Sequence, residues 1–451
     1  MRPLLLPLVA LQLISSASAQ LSDADLNTVA ARLAQAAQQS WELGARAQAI
    51  LSLNATDYSV YTASPYPPPQ NVPSNITSAI APVFSIARNV VSALGLRTNG
   101  SSNATSLELV AGDGAAGDPP SIGVAVLLAN WTGRNSDDGL DYAKAAENQL
   151  DFLLNETPHT SDGAISHRVA QVQLWSDNVY MVPPFLALYG VHTSNKSLMG
   201  EAYNQVKLYR QYLRDDDADG LWKHIVLSTN ADDGGVDEGH WSTGNGWAAA
   251  GMLRVLATMK HSSFSDDFKN EQNDLASWVK EIHSAVFNNI DDTNIFTNYA
   301  DKSIKSSGSF YDAASTALIA ATVYRFALLR DDHTHLPNAE KCRKALFATK
   351  GAVSASTTAS APASSGTASA ARLGDLEHFT SDGWLTPVVD PHQVGVEGKE
   401  SAEGNAFVLE LQAAYREWVA AGSPGINAAS RAAATSSITA LALLLGISLL
   451  F

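Results

Sequence analysis

Apolar residues recur at steps of three and four over most of this chain. The first such run consists of Leu26, Val29, Leu33, Ala37 and Trp41. Its spacing predicts an amphipathic helix. Comparable runs predict helices over residues 78–94, 118–131, 139–155, 181–189, 202–213, 247–259, 268–287, 313–329, 338–349 and 403–418. A sustained alternation of apolar and polar residues, as in a central sheet, is missing. About eleven helices joined by loops therefore predict an all-α domain built from helical hairpins.

Two segments interrupt this pattern. Residues 65–73 contain five prolines and predict a long loop. Residues 352–371 consist almost entirely of Ser, Ala, Thr and Gly, and such a segment cannot bury a core, so we expect it to be disordered. Only about 50 residues follow before the C-terminal tail, which is at the bottom of the domain size range. We therefore interpret the segment as an insertion in one domain that covers residues 20–420.

Both ends of the chain resemble targeting signals. Residues 1–19 combine a basic start, a short apolar run and an Ala-x-Ala site, which predicts a signal peptide cleaved after Ala19. Within residues 421–451, the small residues 427–429 are followed by a short spacer and an apolar stretch over residues 438–451. This order is typical of a GPI-anchor signal. The alternative is a membrane span, but the apolar part is shorter than the roughly 20 residues that a span needs. We expect a secreted protein that is attached to the cell surface or cell wall only through the anchor.

Composition excludes some partners and supports an extracellular location. The formal net charge of −16 argues against nucleic acid and anionic lipid surfaces. One cysteine, Cys342, allows no disulfide within the chain, so a large apolar core must hold the fold. Sites for N-glycosylation follow the pattern Asn-x-Ser/Thr at Asn54, Asn75, Asn99, Asn103, Asn130, Asn155 and Asn195. We expect a monomeric glycoprotein.

Two tryptophan-containing blocks carry the candidate chemistry. Residues 174–187 place a lone carboxylate, Asp177, two residues after Trp175 at the start of an apolar run. Residues 241–247 read Trp-Ser-Thr-Gly-Asn-Gly-Trp and open another such run. Aromatic faces beside an acid suit a sugar ring better than a phosphate. These blocks therefore predict two walls of a carbohydrate site.

A third polar segment resembles the start of a calcium-binding loop. Asp215, Asp217 and Asp219 alternate with other residues and precede Gly220. Position twelve of such a loop needs a bidentate Glu, and here it is Val226. We interpret the segment as a solvated turn and expect no metal and no cofactor.

The blocks together resemble the unsaturated rhamnogalacturonyl hydrolases, glycoside hydrolase family 105, which are related to the unsaturated glucuronyl hydrolases of family 88. The resemblance rests on residues 163–167, 173–185, 219–224 and 241–248, which occur in the family's order. Residues 41–44 and 401–407 also look like fungal members. The similarity covers most of residues 26–418, apart from the insertion.

What the resemblance implies is an (α/α)6 barrel, six helical hairpins around a funnel-shaped pocket. It also implies a reaction on the 4,5-unsaturated uronic acid that a lyase leaves at the end of a pectin fragment. Such enzymes hydrate the double bond, and the resulting hemiketal opens and releases the next sugar. Neither a glycosyl–enzyme intermediate nor a metal is required.

The resemblance also assigns roles to single residues. Asp177 matches the general acid/base, for which its pKa must be raised by burial. The alternative is that Ser176 or Asp177 only caps a helix. Asp118 falls where a second acid is expected, although Asp before Pro-Pro is also an ordinary helix start. The expected substrate-binding side chains are Trp175, His167, His224, Trp241, Thr243 and Trp247, each of which can also be structural.

One departure affects the substrate. Members of the family often have Arg at the position of Thr243, where it could hold the substrate carboxylate, and Thr cannot form that bidentate pair. Either another group binds the carboxylate, or the substrate differs, or activity is lost. Another glycosidase on the same barrel, such as a mannanase, would need paired Asp residues in its pocket, and Asp137-Asp138 and Asp232-Asp233 look like surface pairs. The alternative outside enzymes is a silent cell-wall protein that binds glycan.

Overall fold

A computed structural model describes residues 20–98, 100, 107–229, 235–351 and 372–425. The predicted signal peptide, the insertion at 352–371 and the anchor signal beyond residue 425 lie outside the described residues. The α-helices are α1 Asp23–Ala36, α2 Ser40–Asn54, α3 Thr77–Ala93, α4 Pro120–Trp131, α5 Asn135–Asp138, α6 Tyr142–Asp151, α7 Asn178–His192, α8 Lys196–Leu213, α9 Ser242–His261, α10 Lys269–Phe287, α11 Ala313–Arg330, α12 Leu336–Leu346 and α13 Ala402–Ala420. Two short antiparallel pairs join β1 Leu174–Trp175 to β2 Ile225–Val226 and β3 Val388–Val389 to β4 Glu397–Gly398.

The helices form two concentric rings. The inner ring runs α2, α4, α7, α9, α11 and α13, each packed on the next, and α13 packs on α2 to close it. The outer helices α3, α6, α8, α10, α12 and α1 each pack against the inner ring. The fold is thus the six-hairpin (α/α)6 barrel, and the predicted all-α class is confirmed.

Burial explains which helices form which ring. Inner helix α9 is buried along almost its whole length, so it has no polar face to offer water. Outer helix α10 buries one stripe, with Leu275, Val279, Ile282 and Val286 at steps of three and four. Small residues let the inner helices approach closely. A Cβ atom at Gly251 of α9 would lie 2.1 Å from the carbonyl oxygen of Val179 in α7.

Several predicted helix boundaries were wrong, and two of them concern the blocks at residues 41–44 and 241–248. The run from Leu26 to Trp41 is two helices, because the carboxylate of Glu42 accepts hydrogen bonds from the backbone amides of Gln38 and Gln39 at 2.9 and 3.0 Å and starts α2 afresh. Helix α9 begins at Ser242 rather than Trp247. The Asn245 side chain accepts from the Trp222 amide and donates to its carbonyl oxygen, so the block at 241–247 is helical while it also holds the preceding loop.

The amino ends of the inner helices meet at one end of the barrel. Trp41 and Glu403 lie in the first turns of α2 and α13, and Asp177 directly precedes α7. These residues line one cavity, together with the loops that enter the inner helices. Because helix amino termini carry a partial positive charge, this end of the barrel favours anionic groups. Among the described helices, none is both long and apolar enough to cross a membrane.

Candidate active site

The cavity at the amino ends of the inner helices has a volume of about 270 Å³. Its aromatic walls are Trp41, Trp175, Trp241, Trp247 and Tyr299. Its acidic groups are Asp118, Asp177, Asp390 and Glu403, and its basic groups are His167, Arg168, His224 and His392. Every site residue predicted from the sequence lines this cavity except Thr243. A small concave site with aromatic walls and a few convergent polar groups is typical of ligand binding.

Asp177 lies at the last position before α7, and its side chain makes no capping hydrogen bond to that helix. Its Oδ1 atom is buried and finds no hydrogen-bond partner in the described part of the chain. Burial raises the pKa of Asp177, and the nearby His224 partly opposes this. The geometry therefore gives helix capping no support and leaves the carboxyl oxygen available to a ligand.

Asp118 lies on the neighbouring wall, just before α4. Burial raises its pKa well above the ordinary value, and the like charges of Asp113 and Asp177 raise the pKa further. Asp118 and Asp177 line the same cavity, so the two predicted acids lie in one site. Two coupled carboxyl groups with raised pKa values can share a proton and divide acid and base work.

His167 is a neutral wall residue beside Asp118. Burial lowers its pKa to about 3. Its Nε2 atom lies 3.7 Å from Oδ1 of Asp118, and its ring stacks on Trp175 with centroids 4.8 Å apart. A Cβ atom at Gly117 would lie 2.4 Å from the His167 ring nitrogen Nδ1. Glycine at this position therefore lets the segment that carries Asp118 pass close to the imidazole.

His224 is oriented from behind by a carboxylate. Its Nδ1 atom lies 2.9 Å from Oδ2 of Asp237, and the same oxygen accepts from the Tyr299 hydroxyl at 2.7 Å. Burial raises the pKa of Asp237, but the hydrogen bonds from His224 and Tyr299 outweigh it and hold the pKa below its ordinary value. The charged Asp237 makes Nδ1 of His224 the donor. Nε2, which is buried without a partner among the described residues, is left for a ligand.

The tryptophans differ in what they expose. Trp175 and Trp41 are half-buried and present surface to the cavity. Trp247 is 1 % exposed, and its ring packs against Tyr180 and Phe407 at centroid distances of 4.3 and 4.6 Å. Trp175 and Trp41 therefore offer aromatic surface to a ligand in the cavity, whereas Trp247 mainly joins α9 to the core.

The structure places Thr243 outside the cavity lining. Its side chain is fully buried, and its hydroxyl donates to Oδ2 of Asp312 at 2.7 Å. Asp312 in turn caps α11 by accepting from the amides of Ala314 and Ser315. Thr243 therefore ties α9 to α11, and the predicted contact with substrate does not fit its position.

Sequence reasoning missed several wall residues, which are Trp41, Arg168, Tyr299, Asp390, His392 and Glu403. Glu403 is 4 % exposed, and burial raises its pKa well above the ordinary value, with the charges of Glu42, Asp177 and Asp312 adding to the effect. The available signal was position, because Trp41 and Glu403, like Asp177, lie at the start of an inner helix. Trp41 and Glu403 both belong to blocks that the resemblance picked out without a role.

The family follows from the sequence comparison. Residues 124–371 match the sequence model of Glycosyl Hydrolase Family 88, which is more than half of the chain. The chain belongs to Glycosyl Hydrolase Family 88. As a member, it is assigned to the glycoside hydrolases, and the predicted enzyme class is confirmed. The matched region includes Asp177, His167 and His224, while Asp118 lies just before it and His392 beyond it.

Comparison with known proteins finds a sequence relative and solved structures with a similar fold. An unsaturated 3S-rhamnoglycuronyl hydrolase of Formosa agariphila is 31% identical over 119 residues, which cover 24% of this chain and 30% of that protein. The chain thus spans under a third of this relative's length. A family 105 glycoside hydrolase of C. acetobutylicum superposes with a TM-score of 0.59 at 14% identity, covering 87% of this chain and 99% of that one. The unsaturated glucuronyl hydrolase of Bacillus sp. GL1 superposes with a TM-score of 0.52 at 13% identity, covering 86% and 94%. Both support the six-hairpin barrel.

Proposed function

We propose that this family 88 member acts on oligosaccharides that end in a 4,5-unsaturated uronic acid, with fragments of rhamnogalacturonan as the substrate. The observation that carries the proposal is the state of Asp177. It is a carboxyl group with a raised pKa and an unpartnered oxygen, set between an aromatic wall and His224 in the cavity. A general acid that works near neutral pH needs this environment, because an ordinary Asp would already have lost its proton.

In the proposed reaction, Asp177 acts first as an acid and then as a base. The protonated carboxyl group gives its proton to C4 of the enol ether, and a water molecule attacks C5. The carboxylate takes up the proton that this water releases, so Asp177 ends as it began. The product is a hemiketal at C5. It opens to a ketone and leaves a hemiacetal at C1, from which the next sugar departs.

The neighbouring groups have separate roles in this scheme. Burial and the charges of Asp113 and Asp177 raise the pKa of Asp118, which favours its protonated form, and in that form it can donate a hydrogen bond to a sugar hydroxyl. His224 presents Nε2 to the cavity because Asp237 holds Nδ1. The half-buried face of Trp175 supports the ring of the uronic acid.

The choice of unsaturated uronides draws support from the named relative in Formosa agariphila and from the unsaturated glucuronyl hydrolases that share the fold. Rhamnogalacturonan is the finer part of the proposal and rests on the sequence blocks at 173–185 and 241–248. The substrate panel must therefore include unsaturated fragments of rhamnogalacturonan, of ulvan-like polymers and of glycosaminoglycans.

The decisive experiment follows the ultraviolet absorbance of the unsaturated uronide during incubation with wild type and with Asp177→Asn. Wild type should remove the absorbance. The variant should be slower by about 10²- to 10⁴-fold, the usual contribution of general acid–base catalysis. The variant should also unfold at nearly the same temperature, since Asp177 caps no helix. Absence of decay with every unsaturated uronide, together with retained glycan binding, would reject the proposal and favour the glycan-binding alternative.

We also propose that the protein is secreted and anchored through a GPI group. The supporting sequence signals lie at residues 1–19 and 421–451, largely outside the described residues. The glycosylation sites within the described part of the chain are exposed, at Asn54, Asn75, Asn130, Asn155 and Asn195. Treatment of expressing cells with a phosphatidylinositol-specific phospholipase should release the protein. Retention in the membrane fraction after complete digestion would contradict the anchor.

A further inference from the structure

A carboxylate-bearing substrate meets an electrostatic problem in this cavity. The wall contains the carboxyl groups of Asp118, Asp177, Asp390 and Glu403. A uronic acid brings a negative charge into the same small space, where any of these groups that is ionised would repel it more strongly than in water. A permanent positive charge in the wall, in addition to the partial charge of the helix amino termini, would therefore favour an anionic sugar over a neutral one.

Thr243 cannot supply that charge or direct the substrate. Its hydroxyl is committed to the carboxylate of Asp312 and is fully buried behind the cavity. His167 and His392 do not replace it. His167 is neutral over the working pH range because burial lowers its pKa to about 3. His392 lies with half of its side chain exposed, 3.9 Å from Glu42, at the edge of the cavity.

Arg168 is the one Lys or Arg among the described residues that line the cavity. An arginine stays charged at every relevant pH, and its planar guanidinium group matches the two oxygens of a carboxylate. It is half-buried, which makes its charge less screened than that of an exposed side chain. Arg168 therefore has both the charge and the geometry that Thr243 lacks.

The backbone around Arg168 is fixed against the wall that holds the acids. Arg168 forms a β-bridge with Ala115, and the amide of Val169 donates to the carbonyl oxygen of Gly114 at 3.2 Å. The segment that leads to Asp118 is thereby joined to the segment that carries Arg168. The guanidinium carbon lies 6.0 Å from the centre of the Trp175 ring. A sugar ring placed beside Trp175 and Asp177 therefore has the guanidinium group within reach of its substituents.

We propose that Arg168 binds the carboxylate of the unsaturated uronic acid and so determines the specificity of this site for an anionic sugar. The inference rests on the proposed function. It relocates carboxylate recognition from the first turn of α9 to the loop that precedes β1. Arg168 would orient the ring so that its double bond faces Asp177, without itself transferring a proton.

The test compares one unsaturated disaccharide as the free acid and as its methyl ester. The variants are Arg168→Gln, Arg168→Lys and the control Lys302→Gln. Lys302 lies in the neighbouring depression and outside the main cavity, so its variant removes one nearby positive charge without changing the wall. Arg168→Gln should raise KM for the free acid about 10- to 100-fold, the usual range for losing a charge-assisted hydrogen bond. Arg168→Lys should lie in between, because it keeps the charge but not the bidentate geometry.

The ester distinguishes recognition from structure. Arg168→Gln should change KM for the ester less than two-fold, and Lys302→Gln should change neither substrate. An equal loss on acid and ester would overturn the inference and indicate that Arg168 only supports the fold. If wild type turns over neither substrate, the proposed function fails. Calorimetric titration with glucuronate then tests Arg168 alone. Binding that Arg168→Gln abolishes supports the inference, and binding that is absent or equal in both proteins overturns it.

Discussion

Two buried glutamates, Glu340 on α12 and Glu403 in the first turn of α13, show opposite ways of holding a carboxyl group. Glu340 on α12 accepts from Nε and Nη2 of Arg343 at 2.9 and 3.1 Å and also from the Tyr324 hydroxyl. Burial raises the pKa of Glu340, but these partners outweigh it and hold the pKa below its ordinary value. Glu403 in the cavity is buried among the carboxyl groups of Glu42, Asp177 and Asp312, and its pKa is raised.

The difference separates a carboxylate that joins helices from carboxyl groups that line the cavity. The ion pair of Glu340 and Arg343 joins α12 to α11 and α13, since Arg343 also lies over the Tyr415 ring at 3.9 Å. In the cavity, Asp118, Asp177 and Glu403 form an acid cluster whose members repel one another. Such an arrangement costs folding free energy, and proteins accept it where chemistry needs protonated acids.

The same substitution at the two glutamates should have opposite effects on stability. Glu340→Gln removes the carboxylate from a buried ion pair, so the free energy of unfolding should fall by about 3–5 kcal/mol. Glu403→Gln removes a disfavoured charge at nearly constant volume, so it should leave stability unchanged or raise it. Chemical denaturation at neutral pH with both variants measures the contrast.

Activity gives the control for this pair. Glu340→Gln should retain the wild-type kcat per folded molecule, because the ion pair does not line the cavity. Glu403→Gln should alter catalysis, because the side chain belongs to the cavity wall. If both variants lose the same free energy of unfolding, the charge of Glu403 would be as well compensated by its neighbours as that of Glu340. The contrast between the two regions would then be wrong.

The next contrast is within the cavity, between the groups proposed to act on the substrate and the groups that orient them. Asp237→Asn should lower kcat/KM about 10- to 100-fold, since it weakens a charge-assisted hydrogen bond that fixes the tautomer of His224. Tyr299→Phe removes the second donor to the same oxygen and should have a smaller effect. Comparison of their pH–rate profiles is the readout. An Asp237→Asn profile identical to wild type, at unchanged kcat/KM, would show that His224 needs no orientation.

The fold was predictable because helical periodicity is a local property. Periods of three and four revealed α10 and α13 close to their observed bounds. The assignment of helices to rings could not be read locally, since it depends on which faces other helices cover. The break between α1 and α2 was not predicted, because it is set by the hydrogen bonds that Glu42 accepts from Gln38 and Gln39 and not by the pattern of apolar residues.

The site was predictable only in part. Asp177 and the tryptophans of the two blocks stand out because polar and aromatic residues occur together at helix starts. Arg168 and Glu403 carry no such mark, because an arginine in a loop and a glutamate in a first helical turn are both common. Only the closed ring of inner helices brings them to one cavity. The same ring removes Thr243 from the wall, which its position in the block could not reveal.

The last and smallest contrast is the pH dependence of stability. The pKa of Glu403 is raised in the folded protein. Its contribution to the free energy of unfolding is therefore fully present below the unfolded pKa of about 4.3, and it is lost as pH rises through the folded pKa. The folded pKa of Glu340 is lowered, so its contribution is present above that unfolded pKa and is lost as pH falls. Glu403→Gln should therefore gain most over wild type at pH 7 and little at pH 4, whereas Glu340→Gln should lose most at pH 7. Unfolding temperatures at both pH values measure these differences. A gain for Glu403→Gln that is independent of pH would mean that packing, rather than an unbalanced charge, limits the stability of the cavity wall.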